Sequence, residues 1–235
     1  MVDAFALDLG LHDRWIRGRM AETLPVGLRA PPAPYRALAW LKRYETGCST
    51  ERARQLVGAD VEDTVWVGTI HHHLTYGRVA QLDADVGYLH VDNHTDDYRG
   101  PREEGGDRIR SSRFTDAIRA TGRPVGYLGA FSPEAPSLDR RQTYDWERED
   151  WTGFLEHLPD RLYVSVDMDV FDRSVFCATH SQGHMSLEAF DALAGWLGDN
   201  RDIVAADIVA FDHGHPDANL EPYRHVLDAL IGLCG

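Results

Sequence analysis

The sequence predicts a three-layer α/β/α fold with a mostly parallel central sheet, built as a single domain over residues 1–235. Three observations predict it. Strand-like and helix-like stretches alternate over most of the chain. The strands are near-continuous apolar runs, the pattern of strands covered on both faces. Polar clusters follow directly on several of those runs, where sites form in open α/β sheets.

Taken in order, Phe5 to Leu9 is a short apolar first strand, with Asp8, His12 and Asp13 as turn residues at its end. Prolines between Pro25 and Pro34 predict a surface connection. Ala37, Leu38, Leu41 and Tyr44 recur at helical spacing, and Gly47 stops that helix. Ser49 is a candidate cap for a second helix, although Arg52 stands where a capping box wants Glu. The run Val61 to Ile70 is a buried strand ending in His71-His72-His73, and a helix follows over Tyr76–Leu82. The strand Val86–Val91 leads into Asp92-Asn93-His94-Thr95-Asp96, and Arg99 to Gly106 is a charged loop.

Phe114, Ala117 and Ile118 mark a helix ending at Gly122, and Val125–Phe131 is another strand. After the loop Pro133–Asp139, Trp146, Trp151, Phe154, Leu155 and Leu158 form a helical aromatic stripe, read as core or subunit contact. Leu162 to Val166 is a strand delivering Asp167-Met168-Asp169. A helix over Ser186–Leu197, a strand over Ile203–Phe211 and a closing helix over Pro222–Ile231 complete the chain.

With 38 acidic against 24 basic side chains and a formal charge of -14, the chain is a poor partner for nucleic acid. No apolar stretch is long enough to span a membrane. Residues Val2–Gly10 lack the basic start and apolar core of a signal peptide. Cys48, Cys177 and Cys234 show no paired spacing, which fits a reducing, cytoplasmic setting.

Four Asp and a His at the ends of two apolar strands need a reason, because unpaired buried charge is costly. One or two divalent ions supply it, and oxygen-rich sites with one or two imidazoles suit manganese, zinc, iron or nickel. A pair of ions sharing a carboxylate, Asp92 or Asp167, would activate a water for hydrolysis. Three consecutive histidines point in different directions, so they cannot all face such a site, and one ligand among them is expected.

These stretches resemble motifs of the arginase–agmatinase, or ureohydrolase, superfamily. Thr69-Ile70-His71-His72-His73 stands against Gly-Gly-Asp-His-Ser, Asp92-Asn93-His94-Thr95-Asp96 against Asp-Ala-His-x-Asp, and Ser165-Val166-Asp167-Met168-Asp169 against Ser-x-Asp-x-Asp. Ala206-Asp207-Ile208-Val209-Ala210 lies where the family reads Asp-Ile/Val-Val-Glu, and the resemblance spans about residues 61 to 235. It implies an arginase-like fold and two Mn2+ ions per chain. His72, Asp92, Asp96 and Asp167 would hold one ion. His94 and Asp169 would hold the other, with Asp92 and Asp167 bridging and Asp96 also steadying the attacking hydroxide.

Departures from the family direct the reading of the substrate. His71 stands where the family has an Asp that supports the site. Ala210 replaces the Glu that receives the guanidinium, leaving Asp212 and Glu221 as candidate substrate-binding carboxylates. No His lies between Tyr98 and Phe114, where arginases keep a proton-shuttling one. His184 and His213 are the candidate catalytic replacements, with His180 and His215 further choices. The chain is also shorter than typical arginases, and it resembles the peptide arginases that turn arginyl residues of ribosomal natural products into ornithine. The expected activity is therefore manganese-dependent hydrolysis of peptidyl arginine in a precursor peptide, releasing urea, by a protein that is a possible homo-oligomer. Hydrolysis of a small guanidino compound such as agmatine is the nearest rival. A metal-dependent deacetylase or amide hydrolase, and a non-catalytic metal-binding assembly protein, are the others.

Overall fold

The computed structural model describes residues 5–6, 47–57, 61–67, 72–97, 108–129, 143–144, 151–176, 182–209 and 221–235. Seven strands form one sheet in the order β1-β3-β9-β8-β4-β6-β7. These are β1 (Phe5–Ala6), β3 (Thr64–Val67), β4 (Gly87–Val91), β6 (Val125–Leu128), β7 (Thr143–Tyr144), β8 (Arg161–Asp167) and β9 (Asp202–Val209). Every pairing in this sheet is parallel, as the near-continuous apolar strands predict. A separate antiparallel ribbon joins β2 (Gly47–Ser49) to β5 (Arg108–Arg110).

Side chains alternate along each strand, so the sheet has two unlike faces. On one, Leu89, Val91, Leu162, Val164, Val166, Ala206 and Ile208 belong to a continuous apolar core. That core is closed by α4 (Trp151–Leu155), α5 (Leu187–Asn200) and α6 (Glu221–Leu233). Phe190, Leu193 and Leu197 recur at helical spacing on α5, and Tyr223, Val226, Leu227 and Leu230 do so on α6. Each such side chain contributes about 1.5–3 kcal/mol through burial. On the other face, Trp66, Tyr88, Tyr127 and Tyr163 pack against α1 (Thr50–Val57), α2 (Thr75–Val79) and α3 (Phe114–Arg119). The two helical layers complete the α/β/α arrangement.

Local chemistry sets most boundaries. Ser49 Oγ accepts the Arg52 N–H at 3.1 Å and caps α1, and Ser186 Oγ accepts from Ala189 at 3.1 Å to cap α5. β6 ends at Leu128, short of the Phe131 expected, because Gly129 turns at φ 81 and a Cβ there would press on Val170. The helix of the aromatic stripe ends at Leu155, before Leu158, with Trp151 edge-on to Trp196 at 6.1 Å, and Trp146 lies outside the described residues. Arg108–Arg110, to which the sequence reading gives no element, is a short strand. The predicted helix at Ala37–Tyr44 and the loops at 25–34, 99–106 and 133–139 lie outside the described residues.

The stretch after β8 is stitched back onto itself. Gly183 N donates to Asp169 O at 2.7 Å, Met185 N to Val170 O at 3.0 Å, and Asp172 N to Met185 O at 2.8 Å. A Cβ on Gly183 would run into the Val170 carbonyl, so the approach requires glycine.

Candidate metal centre

The ends of β4 and β8 and the turn before α2 bring the ligand-type residues together. Behind β4, the Asp92 side chain folds the chain over, accepting the His94 N–H at Oδ1, 2.7 Å. Asp167 does the same behind β8, accepting the Asp169 N–H at 3.0 Å. Asp96 sits at φ 45, a conformation uncommon outside glycine, and the structure around it holds it there. Thr115 Oγ1 on α3 donates to the carbonyls of both Thr95 (2.8 Å) and Asp96 (2.7 Å). The buried Asp97 carboxylate takes a 2.8 Å ion pair from Arg119.

Two groups of ligand-type atoms result, and they share one residue. His72, His90, Asp92 and Asp96 form the first, while Asp92, His94 and Asp169 form the second. Asp92 presents Oδ2 to His72 Nδ1 at 3.4 Å and Oδ1 to His94 Nδ1 at 3.3 Å, so its two oxygens face the two groups. Asp96 Oδ2 lies 3.3 Å from His72 Nδ1, and Asp169 Oδ2 lies 3.2 Å from His94 Nδ1. Asp167 Oδ2 is 3.5 Å from His72 Nδ1 but joins neither group in this arrangement.

Of the two described histidines of the triplet, His72 turns its ring into the site. His73 Nδ1 instead meets Ser111 Oγ at 3.1 Å, and His71 lies outside the described residues. His72 Nε2 pairs with Ser165 Oγ at 2.9 Å, and the Ser165 hydroxyl donates to Asp207. With its Nε2–H given to Ser165, His72 offers Nδ1 to an ion. Asp207 is fully buried and also accepts from Thr75 Oγ1 (2.6 Å) and Tyr163 OH (2.7 Å). These three hydroxyls satisfy a charge that would otherwise be costly inside the sheet. The sequence marked Asp207 only as part of a motif. An Asp inside an apolar strand was the available signal.

The electrostatics ask for positive charge. Burial alone would raise the Asp92 carboxyl, but the imidazoles of His90, His94 and His72 hold it well below the usual carboxylate range. Burial and the charges of Asp169 and Asp92 push Asp167 well above that range. Burial and Asp92 lift Asp169 to about 7, against the pull of His94. Burial works against protonating His94, yet Asp169 and Asp92 raise it to about 12. His72 is likewise raised by Asp96 and Asp92 in spite of its burial. Three buried atoms here, His72 Nδ1, His90 Nε2 and Asp92 Oδ2, have no hydrogen-bond partner. Unpartnered donor atoms converging beside crowded carboxylates fit divalent cations, and the two groups are consistent with a two-ion site.

Four further predicted residues remain. His184 is exposed, near enough to Asp172 to lower that carboxyl slightly, after the larger effect of the Ser174 hydroxyl. Glu221 is exposed in the first turn of α6. Asp212 and His213 lie outside the described residues. His90 is the residue to which sequence reasoning gave no role, although it opens the motif His90-Val91-Asp92-Asn93-His94-Thr95-Asp96-Asp97. Its even spacing from Asp92 along β4 was the signal.

No protein-family model and no curated protein matches the sequence. Solved structures do match. Formimidoylglutamase from Bacillus subtilis is 13% identical with a TM-score of 0.66, covering 98% of this chain and 85% of that one. Arginase from Entamoeba histolytica, solved with L-ornithine, is 16% identical with a TM-score of 0.64, covering 100% and 98%. Proclavaminate amidino hydrolase from Streptomyces clavuligerus is 17% identical with a TM-score of 0.62, covering 100% and 90%. The three-layer architecture of this chain is the arginase-like fold.

Proposed function

We propose that this chain is a manganese-dependent hydrolase of a guanidino group, converting peptidyl arginine of a precursor peptide to ornithine and releasing urea. The observation that carries the reading is the pair of ligand groups meeting at Asp92, beyond the strand ends of an arginase-like sheet. His72, Asp92, Asp96 and Asp167 would hold one ion and His94, Asp92, Asp167 and Asp169 the other. A small shift of the Asp167 side chain from its place beside His72 would serve both. Two bound ions would supply a water activated near neutral pH and stabilise charge developing on the reacting group.

The chain's own residues then have separate tasks. Asp207, through Ser165, fixes the His72 ring. Asp96, on a side chain 16% exposed, would also steady the attacking hydroxide. His94 is 30% exposed, so the His94–Asp96 side is the approach for substrate, while the sheet closes the opposite side. An arginine side chain carried on a peptide needs only such a one-sided approach. Asp212 or Glu221 would pair with the guanidinium where the resembling family uses a Glu at the position of Ala210. His184 or His213 would protonate the departing amine. A cytoplasmic setting fits the lack of paired spacing among the cysteines of the sequence.

The test is turnover by manganese-loaded protein of an arginine-containing peptide, agmatine, free arginine and an acetylated amine. Urea release, with a mass loss equal to cyanamide on the peptide, is expected. Turnover of agmatine alone would move the substrate to a small guanidine, and turnover of the acetylated amine alone would overturn guanidine chemistry. Ion binding with no turnover of any of them would favour a binding role.

A further inference from the structure

The resemblance assigns no role to His90, a histidine in the middle of β4 with no exposed surface. Successive side chains on a strand alternate, so Tyr88, His90 and Asp92 line the same face, with His90 one step deeper than Asp92. Its Nδ1 is paired with the Tyr88 hydroxyl at 2.9 Å. Its Nε2 lies 3.1 Å from Asp92 Oδ2, yet the two make no hydrogen bond, and both atoms are buried without a partner. His72 Nδ1 is unpartnered in the same way, and the two imidazole centroids are 5.0 Å apart. Phe114 packs on both rings, 4.5 Å from His72 and 5.5 Å from His90. A buried ring nitrogen with no acceptor in line is costly unless something else uses its lone pair.

We infer that His90 is a metal ligand through Nε2, adding a second imidazole to the group formed by His72, Asp92 and Asp96. Its Nδ1–H then donates to the Tyr88 hydroxyl, which orients the ring as a backing hydrogen bond does for metal-bound histidines. The inference rests on the two-ion reading of the site and goes beyond it in one respect. The two positions become chemically unlike. The first offers two imidazoles and two carboxylates from His72, His90, Asp92 and Asp96, whereas the second offers one imidazole with Asp92 and Asp169. Imidazole favours zinc, iron, cobalt and nickel, while carboxylates favour manganese and magnesium. The first position should therefore discriminate more strongly for zinc over manganese than the second.

Chelator-competition titrations with zinc and with manganese, on metal-free wild type and on His90→Ala, His90→Gln and Tyr88→Phe, test this without any substrate. Wild type is expected to bind two ions. His90→Ala should weaken zinc at one position by at least about 100-fold and manganese there by less, with the other position unchanged, while Tyr88→Phe costs about tenfold. Equal zinc affinities in His90→Ala and wild type would overturn the role of His90 and leave the two-ion reading standing. A wild type that binds no ion would overturn both. Where circular dichroism shows that the His90 variants fail to fold, 15N-histidine wild type loaded with 113Cd decides. Three cadmium-split imidazoles are expected, one of them metallated at Nε2 with Nδ1 protonated, and only two would overturn the inference.

Discussion

The two faces of the central sheet are built on opposite rules. Against α4, α5 and α6, the strands present Leu89, Val91, Val164, Val166 and Ile208, and hydrophobic burial does the work. Against α1, α2 and α3, the same strands present His90, Ser165 and Asp207, which sit side by side in register across β4, β8 and β9. Arg78 is also buried on this face, its guanidinium over Trp66 (5.3 Å) and Tyr163 (5.7 Å). One face thus supplies stability through non-directional contacts. The other spends part of that stability to hold a polar row that orients the ligands above it. Fold and site are separable to that degree, and mutations should separate them.

The sharpest break is expected at Asp92, where one oxygen faces each ligand group. Asp92→Ala should lose both ions and all hydrolysis, read by metal analysis and turnover on one preparation. Asp167→Ala should lose at least one ion, and a full complement in either variant would mean that the ligands are wrongly assigned. Next in size, Phe190→Ala on α5 should destabilise the fold by about 3–5 kcal/mol while leaving two ions per folded chain. Denaturant unfolding and metal analysis together check this. On the polar face, Ser165→Ala should weaken metal binding about 10–100-fold, with a smaller stability loss from the donor removed from Asp207. Metal affinity unchanged in Ser165→Ala would erase the distinction between the faces.

Acid gives a further test. Because the Asp169 carboxyl is raised to about 7, the metal-free folded site holds a proton there below that pH. An ion needs the carboxylate, so protons compete with it. Affinity at the position containing His94 and Asp169 is expected to fall as pH drops, with a steeper slope below 7, where Asp169 takes up a proton, than above it, where His94 alone must give one up. A slope that does not steepen between pH 8 and 6 would count against Asp169 as a ligand. The smallest effect belongs to the rim at the start of β8. There Arg161 spans Glu62, Asp83 and Asp85 at 3.2–3.4 Å in solvent. Arg161→Ala should leave metal binding untouched and shift the thermal midpoint only slightly, a shift that added salt removes.

Much of this was legible in the sequence for a physical reason. Parallel strands buried on both faces have no polar positions to spare, so Asp92, Asp96, Asp167 and Asp169 stood out as they left the sheet. Direction said that the three histidines could not all face one site, the resemblance singled out His72, and the structure turns His73 toward Ser111. What stayed hidden was non-local. The order β3-β9-β8-β4 is a matter of which strands pair, and no local pattern encodes it. His90 and Asp207 were hidden because an apolar strand absorbs one polar residue without losing its pattern. Only the registers His90 with Ser165 and Ser165 with Asp207 reveal that the three belong to one row. The β2–β5 ribbon escaped because three residues are too few to show a period.

The glycine contact behind Asp169 has a consequence for how such a protein diversifies. Gly183 and Met185 are tied to Asp169 and Val170 through main-chain atoms, and Gln182 Nε2 donates to the carbonyls of Phe171 (2.6 Å) and Phe176 (2.9 Å). The chain therefore departs after Phe176 and returns at Gln182 between clamped ends. Doubling the length of such an excursion costs only about 0.6 kcal/mol, because the clamp already fixes where it starts and finishes. Asp169 is thereby anchored from behind by main-chain contacts that depend on no side chain between Phe176 and Gln182, and a change of length there is expected to leave its position intact.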